Sequence, residues 1–331
     1  MSAPPNTLRG MTSLTRLPPF ASVIKSREVE DPINLWVHRP LAYAFVALVY
    51  RTPVTPNQIT FLAVVVGLMA AACFYVGTPA AMVAGGCLLW SSAILDGADG
   101  ILARAKRMFS DAGRSLDGAS DAVVAASTVG MGFYHVWVQR HDLLELALMP
   151  IALGLSLVHV YSYDYYKEAF LQHTNPSWNG APERVSDIEA RLERMIAARD
   201  PWPLVVSTQM HVGVLTSQQR VVRWTNPAAQ RAGLQFPVNE ESVAIYRKYN
   251  TGLMQLWAAI SLAPHSYGMA ICAMFDRLDI YLWLRVVLAN LLFVIALFWQ
   301  RRATRRTREA LSHAGLAPTP AAVPQVAGAT S

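Results

Sequence analysis

Six stretches of the chain, 59–76, 79–95, 122–139, 146–163, 249–275 and 286–300, contain no Asp, Glu, Lys or Arg. A helix needs about 20 apolar residues to cross the hydrocarbon core of a bilayer, and most of these runs come near that length. A soluble core has no use for so many charge-free segments of this size. They predict an all-α integral membrane protein with six transmembrane helices. The charged fraction agrees, at 15% of 331 residues against about 25% in an average soluble domain. The last span is short unless it starts near Ile280 and takes in Arg285, which then needs a partner or a snorkelling path.

The excess of 28 Lys and Arg over 22 Asp and Glu would suggest nucleic acid as the partner of a soluble chain. Here topology accounts for it, and no nucleic acid is expected. Six basic residues precede the first span, four lie around the second connection, ten around the fourth and five at 301–308, while the opposite side holds only Arg140 and Arg277. The positive-inside rule therefore puts both termini in the cytoplasm. The segment 31–52 mixes Ile33, Leu35, Trp36, Leu41, Phe45 and Leu48 with Asn34, His38 and Arg39, the pattern of an amphipathic helix lying at the interface.

The organisation that follows is a flexible cytoplasmic N-terminus (1–30), the interfacial helix (31–52), a six-helix domain (53–304) with a cytoplasmic insertion at 172–248, and a disordered cytoplasmic tail (305–331). Within the insertion, Val185, Ile188, Leu192, Met195 and Ile196 follow helical spacing. Residues 1–19 have four prolines and no apolar core, so they do not read as a secretory signal. Cys73, Cys87 and Cys272 lack paired spacing and are expected as buried thiols.

Chemistry concentrates between residues 95 and 123. Asp96 and Asp99 are three apart at the end of the second span, and Asp117 and Asp121 are four apart at the start of the third, so each pair shares a helix face. A helical hairpin would bring the pairs together. Four ionised carboxylates at a membrane boundary repel one another and cost several kcal/mol each to desolvate unless cations neutralise them. Two divalent ions would cancel the charge, and an all-oxygen donor set favours Mg²⁺ or Mn²⁺, ions that usually share their coordination with substrate phosphates. Gly97, Gly100 and Gly113 leave room for a nucleotide near the backbone, and Arg104 offers a planar fork to phosphate.

These residues are arranged as D-x2-D-G-x2-A-R-x8-G-x3-D-x3-D from 96 to 121. In this the sequence resembles the CDP-alcohol phosphotransferases, whose signature it matches at every fixed position, and Pro56, Asn57 and Thr60 resemble that family's entry segment. The resemblance implies the CDP-alcohol phosphotransferase fold and a homodimer. It implies transfer from a CDP-linked donor to an alcohol hydroxyl with release of CMP. It implies Asp96, Asp99, Asp117 and Asp121 as ligands of a two-metal Mg²⁺ or Mn²⁺ site, Asp121 also as general base, and Gly100, Ala103, Arg104, Ser110 and Gly113 as contacts to the CDP moiety. CDP-diacylglycerol with a polar acceptor is the preferred pairing. CDP-choline or CDP-ethanolamine with diacylglycerol is the alternative, and a transporter or scaffold with a cation-binding hairpin is the non-enzymatic one. Composition points to a bacterial inner membrane, with the active site facing the cytoplasm.

Other polar residues have plainer readings. Asp111 is expected as a solvated loop residue, Gly97 as a helix-packing position as readily as a functional one, and His135, His159 and His265 as satisfied core or interface histidines. Pro150 and Pro264 are expected to kink their helices. Tyr161, Tyr163, Tyr165 and Tyr166 are expected to form an aromatic belt at the membrane interface.

Overall fold

The computed structural model describes residues 16–24, 26–108, 111–175, 185–227, 229 and 236–316, and among them every regular element is helical. After a single turn at Phe20–Val23, α1 begins as a π-helical stretch, Asn34–His38, and continues as Arg39–Val49. Then come α2 (Pro56–Val76), α3 (Pro79–Lys106), α4 (Asp111–Arg140), α5 (Leu143–Thr174), α6 (Val185–Ala198), α7 (Trp202–Thr225), α8 (Glu240–Ala258), α9 (Leu262–Met274) and α10 (Leu278–His313).

Local chemistry sets the ends of the helices that carry the site. Thr55 and Gln58 form a reciprocal capping box before Pro56, which occupies the first turn where its missing N–H costs nothing. Gly77 closes α2 at φ 68°, a left-handed conformation that suits glycine. Thr78 immediately opens α3 by accepting from the Ala81 N–H at 3.3 Å. The two-residue link forces α2 and α3 into an antiparallel pair, and α4 packs against α2 to complete the group. The helix α1 lies on α3 through Ala42 and Val46, which meet Ala98, Ile101 and Leu102. Its large apolar residues point the other way, with Trp36 at 73% and Leu48 at 80% exposure. An outward face of that kind suits lipid better than water.

Four helices are long and apolar enough to cross a membrane among the described residues: Pro56–Val76, Pro79–Lys106, Leu143–Thr174 and Leu278–His313. The described residues are thus all-helical and consistent with a membrane protein, with four such helices where six spans were expected. The third expected span forms as the distal part of α4, but Ser127, Thr128, His135 and Gln139 lower its hydropathy. The fifth, 249–275, is not one helix. It ends at Ala258 and restarts at Leu262, with Ser261 in extended conformation before the new first turn. Pro264 sits in that first turn, where proline is tolerated, and so marks a helix start in place of the expected kink. Pro150 lies inside α5 without ending it.

Three further expectations need correction. The tail was expected to be irregular from 305, yet α10 runs on to His313, carrying its polar turns beyond the apolar stretch. Among the described residues the insertion holds more than the one helix expected. Beside α6, which buries Ile188 and Met195 as its spacing predicts, α7 extends for 24 residues and packs on α4, α5 and α6. Finally, the tyrosine cluster does not lie wholly at the surface. Tyr166 is buried in the core, stacked on Trp257 at 5.1 Å, and the Tyr163 hydroxyl donates to the Val29 carbonyl at 2.8 Å.

Arg285 finds the partner its position demands. A π-helical turn, Leu284–Leu288, carries it inward, and its Nε donates to Ser156 Oγ at 3.1 Å. The histidines also have partners: His135 meets Asp276 at 2.8 Å, His159 meets Asn290 at 3.2 Å, and His265 bonds Tyr281. All three cysteines are free, and Cys87 is exposed where burial was expected.

Close approach of α3 and α9 depends on Gly86, where a Cβ would stand 2.6 Å from the Ala270 carbonyl oxygen and 2.6 Å from Met274 Cγ. Backbone on one side cannot yield cheaply. Gly86→Ala is expected to destabilise the protein by about 1–3 kcal/mol, read as a lowered Tm in detergent. An unchanged Tm would mean that α9 is not held against α3.

Candidate active site

The carboxylates expected from the sequence converge. Asp96 and Asp99 come from the last turns of α3, and Asp117 and Asp121 from the first turns of α4. One oxygen each of Asp96, Asp99 and Asp117 lie within 4.8 Å of one another, and Asp121 is within hydrogen-bonding reach of Asp96. Carboxylates this close repel strongly in a half-buried site unless cations or protons intervene. An all-carboxylate donor set fits a hard divalent cation.

The groups around the cluster hold it in place. Thr60, from the first turns of α2, donates its hydroxyl hydrogen to Asp99 Oδ2 while Asp99 itself is buried. Such a bond fixes the carboxylate's rotamer, the task of outer-shell partners at metal sites. Gly97 is a packing position: a Cβ there would lie 3.2 Å from Arg39 Nη1, and that nitrogen donates to the Gly97 carbonyl at 3.3 Å.

The expected nucleotide contacts are only partly gathered. Gly100 leaves space directly under the Arg104 guanidinium, since a Cβ would stand 3.4 Å from Arg104 Nη1. Arg104 Nε, however, donates to the Val23 carbonyl of the N-terminal turn, which leaves the terminal nitrogens of the fork for other partners. The Ala103 carbonyl accepts from the Met108 N–H at 2.9 Å as α3 closes, and Gly113 lies in the first turn of α4. Ser110 lies outside the described residues.

Beside the carboxylates opens a cavity of about 240 Å³, lined by Asp96 and Asp121 at one side and by groups from α1, α5 and α9 at the other. The second wall was not foreseen. It carries Arg39, whose Nε meets Glu30 at 2.8 Å, and Lys167, whose Nζ meets Asp164 at 2.6 Å and sits 4.9 Å over the Tyr163 ring. Asp31 Oδ1 accepts from the Asn34 N–H at 3.0 Å and the Tyr267 hydroxyl at 3.1 Å, and burial pushes its carboxyl up despite those bonds. The His38 side chain, 2% exposed, also lines the cavity. Burial, with a smaller push from the Arg39 charge, brings its imidazole down to about 4, so it is neutral at pH 7. Only helical periodicity within 31–52 hinted at these α1 residues, and nothing local in the sequence ties Asp164 or Lys167 to the aspartates.

Compared with known proteins, residues 53–173 match the family described as CDP-alcohol phosphatidyltransferase. That stretch runs from the turn before α2 almost to the end of α5, and so contains all four aspartates. No curated protein matches the sequence.

Proposed function

We propose that this chain, whose residues 53–173 match the CDP-alcohol phosphatidyltransferase family, is a membrane-bound transferase of phospholipid synthesis that moves a phosphatidyl group from CDP-diacylglycerol to a small polar alcohol and releases CMP. The observation that carries this reading is the convergence of Asp96, Asp99 and Asp117 within 4.8 Å, with Asp121 facing a cavity that could admit the acceptor. A volume of about 240 Å³ is below the range of about 300–1,000 Å³ typical of drug-sized ligands. It suits a small polar alcohol as the occupant of this cavity.

In this reading Asp96, Asp99, Asp117 and Asp121 would hold two Mg²⁺ or Mn²⁺ ions, whose charge offsets the negative charge gathering on the departing phosphate. The protein's own residues do the rest. Thr60 keeps Asp99 aimed at the centre. Arg104, with Gly100 beneath it, would offer its terminal nitrogens to a phosphate of the donor. Asp121 takes the proton of the acceptor hydroxyl as its oxygen bonds to the phosphatidyl phosphorus. The bond from that phosphorus to the CMP oxygen breaks, and CMP leaves with the electron pair. The basic-residue bias supports a cytoplasmic site, and the family resemblance supports a homodimer.

The deciding experiment compares two pairings in the purified protein: CDP-diacylglycerol with polar alcohols, and CDP-choline or CDP-ethanolamine with diacylglycerol. Turnover is expected only with the first. Turnover confined to the second would reverse the roles of lipid and alcohol.

A further inference from the structure

Resting on the transferase reading above, we propose that the cavity beside Asp121 selects an acceptor alcohol that bears no phosphate, and that His38 hydrogen-bonds that acceptor. Two independent observations support this, one from charge and one from an unsatisfied polar atom.

The charge on the wall facing the aspartates is already balanced against anions. Its two cations, Arg39 and Lys167, are each paired with a carboxylate, Glu30 and Asp164, at 2.8 and 2.6 Å. Asp31 adds a third carboxylate, and its hydrogen-bond donors are the Asn34 N–H and the Tyr267 hydroxyl, with no cation among them. Among the described lining residues no other Lys or Arg is present. A phosphorylated acceptor would bring about two negative charges to a wall where anions outnumber cations, and like charges in a desolvated site oppose binding strongly. A neutral polyol or a cationic amino alcohol meets no such penalty. The hydroxyls of Thr60, Ser120 and Thr128 and the Asn34 amide on the same lining suit a polyhydroxyl or amino alcohol.

The second observation is His38. Its ring is buried, it lines the cavity, and its Nε2 has no hydrogen-bond partner in the protein. A buried polar atom without a partner costs free energy that a ligand can recover. A neutral imidazole Nε2 can either donate to or accept from an alcohol hydroxyl, whereas a group built to hold phosphate would be cationic. Trp90 and Tyr267 pack against the His38 ring, at 5.4 and 5.7 Å between centroids, which fixes its direction.

The test is CMP release by the full-length protein in vesicles with Mn²⁺ and CDP-diacylglycerol. Glycerol, myo-inositol, ethanolamine and choline are compared with glycerol 3-phosphate and inositol 1-phosphate. At least one unphosphorylated alcohol is expected to exceed both phosphorylated ones in kcat/KM by about tenfold or more. His38→Ala is expected to raise the acceptor KM about tenfold with the donor KM unchanged, and His38→Gln, which keeps a nitrogen donor, to recover most of the loss. Asp164→Asn, which unpairs Lys167, is expected to shift preference toward the phosphorylated alcohols. Preference of the wild type for a phosphorylated alcohol would overturn the acceptor class alone, and an unchanged acceptor KM in His38→Ala would overturn the role of His38. Absence of CMP release from every alcohol would overturn the transferase reading itself.

Discussion

Asp121→Asn is expected to lower CMP release by about 10²–10⁴-fold, the contribution usual for a positioned general base, while leaving the protein folded. The amide has almost the shape of the carboxylate, so the hairpin of α3 and α4 should keep its packing, and Tm in detergent should stay within a few degrees of the wild type. What is lost is the ability to accept a proton at the atom that faces the cavity. A ligand role for the same carboxylate predicts a second symptom, weaker Mn²⁺ binding, and the two can be separated. If saturating Mn²⁺ restores turnover in Asp121→Asn, the residue is a ligand and not a base. Near-normal turnover without added Mn²⁺ would remove it from the machinery altogether.

Asp99→Ala is expected to weaken Mn²⁺ binding by at least about 100-fold, and Thr60→Val by about 10–100-fold, the range found for outer-shell partners of metal ligands. The two should differ in kind. Removing Asp99 deletes a donor oxygen next to Asp96 and Asp117. Removing the Thr60 hydroxyl leaves the oxygen but frees its rotamer, so turnover should recover at high Mn²⁺. The readout is equilibrium Mn²⁺ binding followed by electron paramagnetic resonance, which needs no substrate. Equal Mn²⁺ affinity in wild type and Asp99→Ala would show that the cluster is held together by protons and not by a cation. Chelation with EDTA should likewise stop CMP release, and Mg²⁺ or Mn²⁺ should restore it.

The part of this site that could be read from sequence is the part built by local spacing. Asp96 and Asp99, and Asp117 and Asp121, are set on their helix faces by separations of three and four residues, and the hairpin between them is only a few residues long. The caps of α2 and α3 were equally local, since Thr55, Pro56, Gly77 and Thr78 act on their own neighbours. The opposite wall was hidden because its members come from α1, α5 and α9, far apart in the chain, and only folding brings them to one cavity. The break at 259–261 was hidden for another reason. Lack of charge identifies an apolar segment but says nothing of where its helix stops, and the stop depends on Ser261 and Pro264. Helix α7 was missed because its apolar residues lie all round it, consistent with packing on α4, α5 and α6 at once. A single-face pattern could not reveal it. In the tail, the residues after 304 were expected to be disordered, yet one face of α10 still packs inward, with Ala303, Thr307 and Leu311 buried at four-residue spacing.

The proposed function places metal-dependent transfer from a CDP-linked lipid on the carboxylate hairpin at the end of α3 and the start of α4. The most direct measurement is CMP release by the purified protein reconstituted with CDP-diacylglycerol, polar alcohols and Mg²⁺ or Mn²⁺, run in parallel with EDTA and with Asp121→Asn. The expected result is CMP formed in step with a new phosphodiester lipid, absent with EDTA and in the variant. CMP formation that persists in both controls, or none from any donor and acceptor, would contradict it.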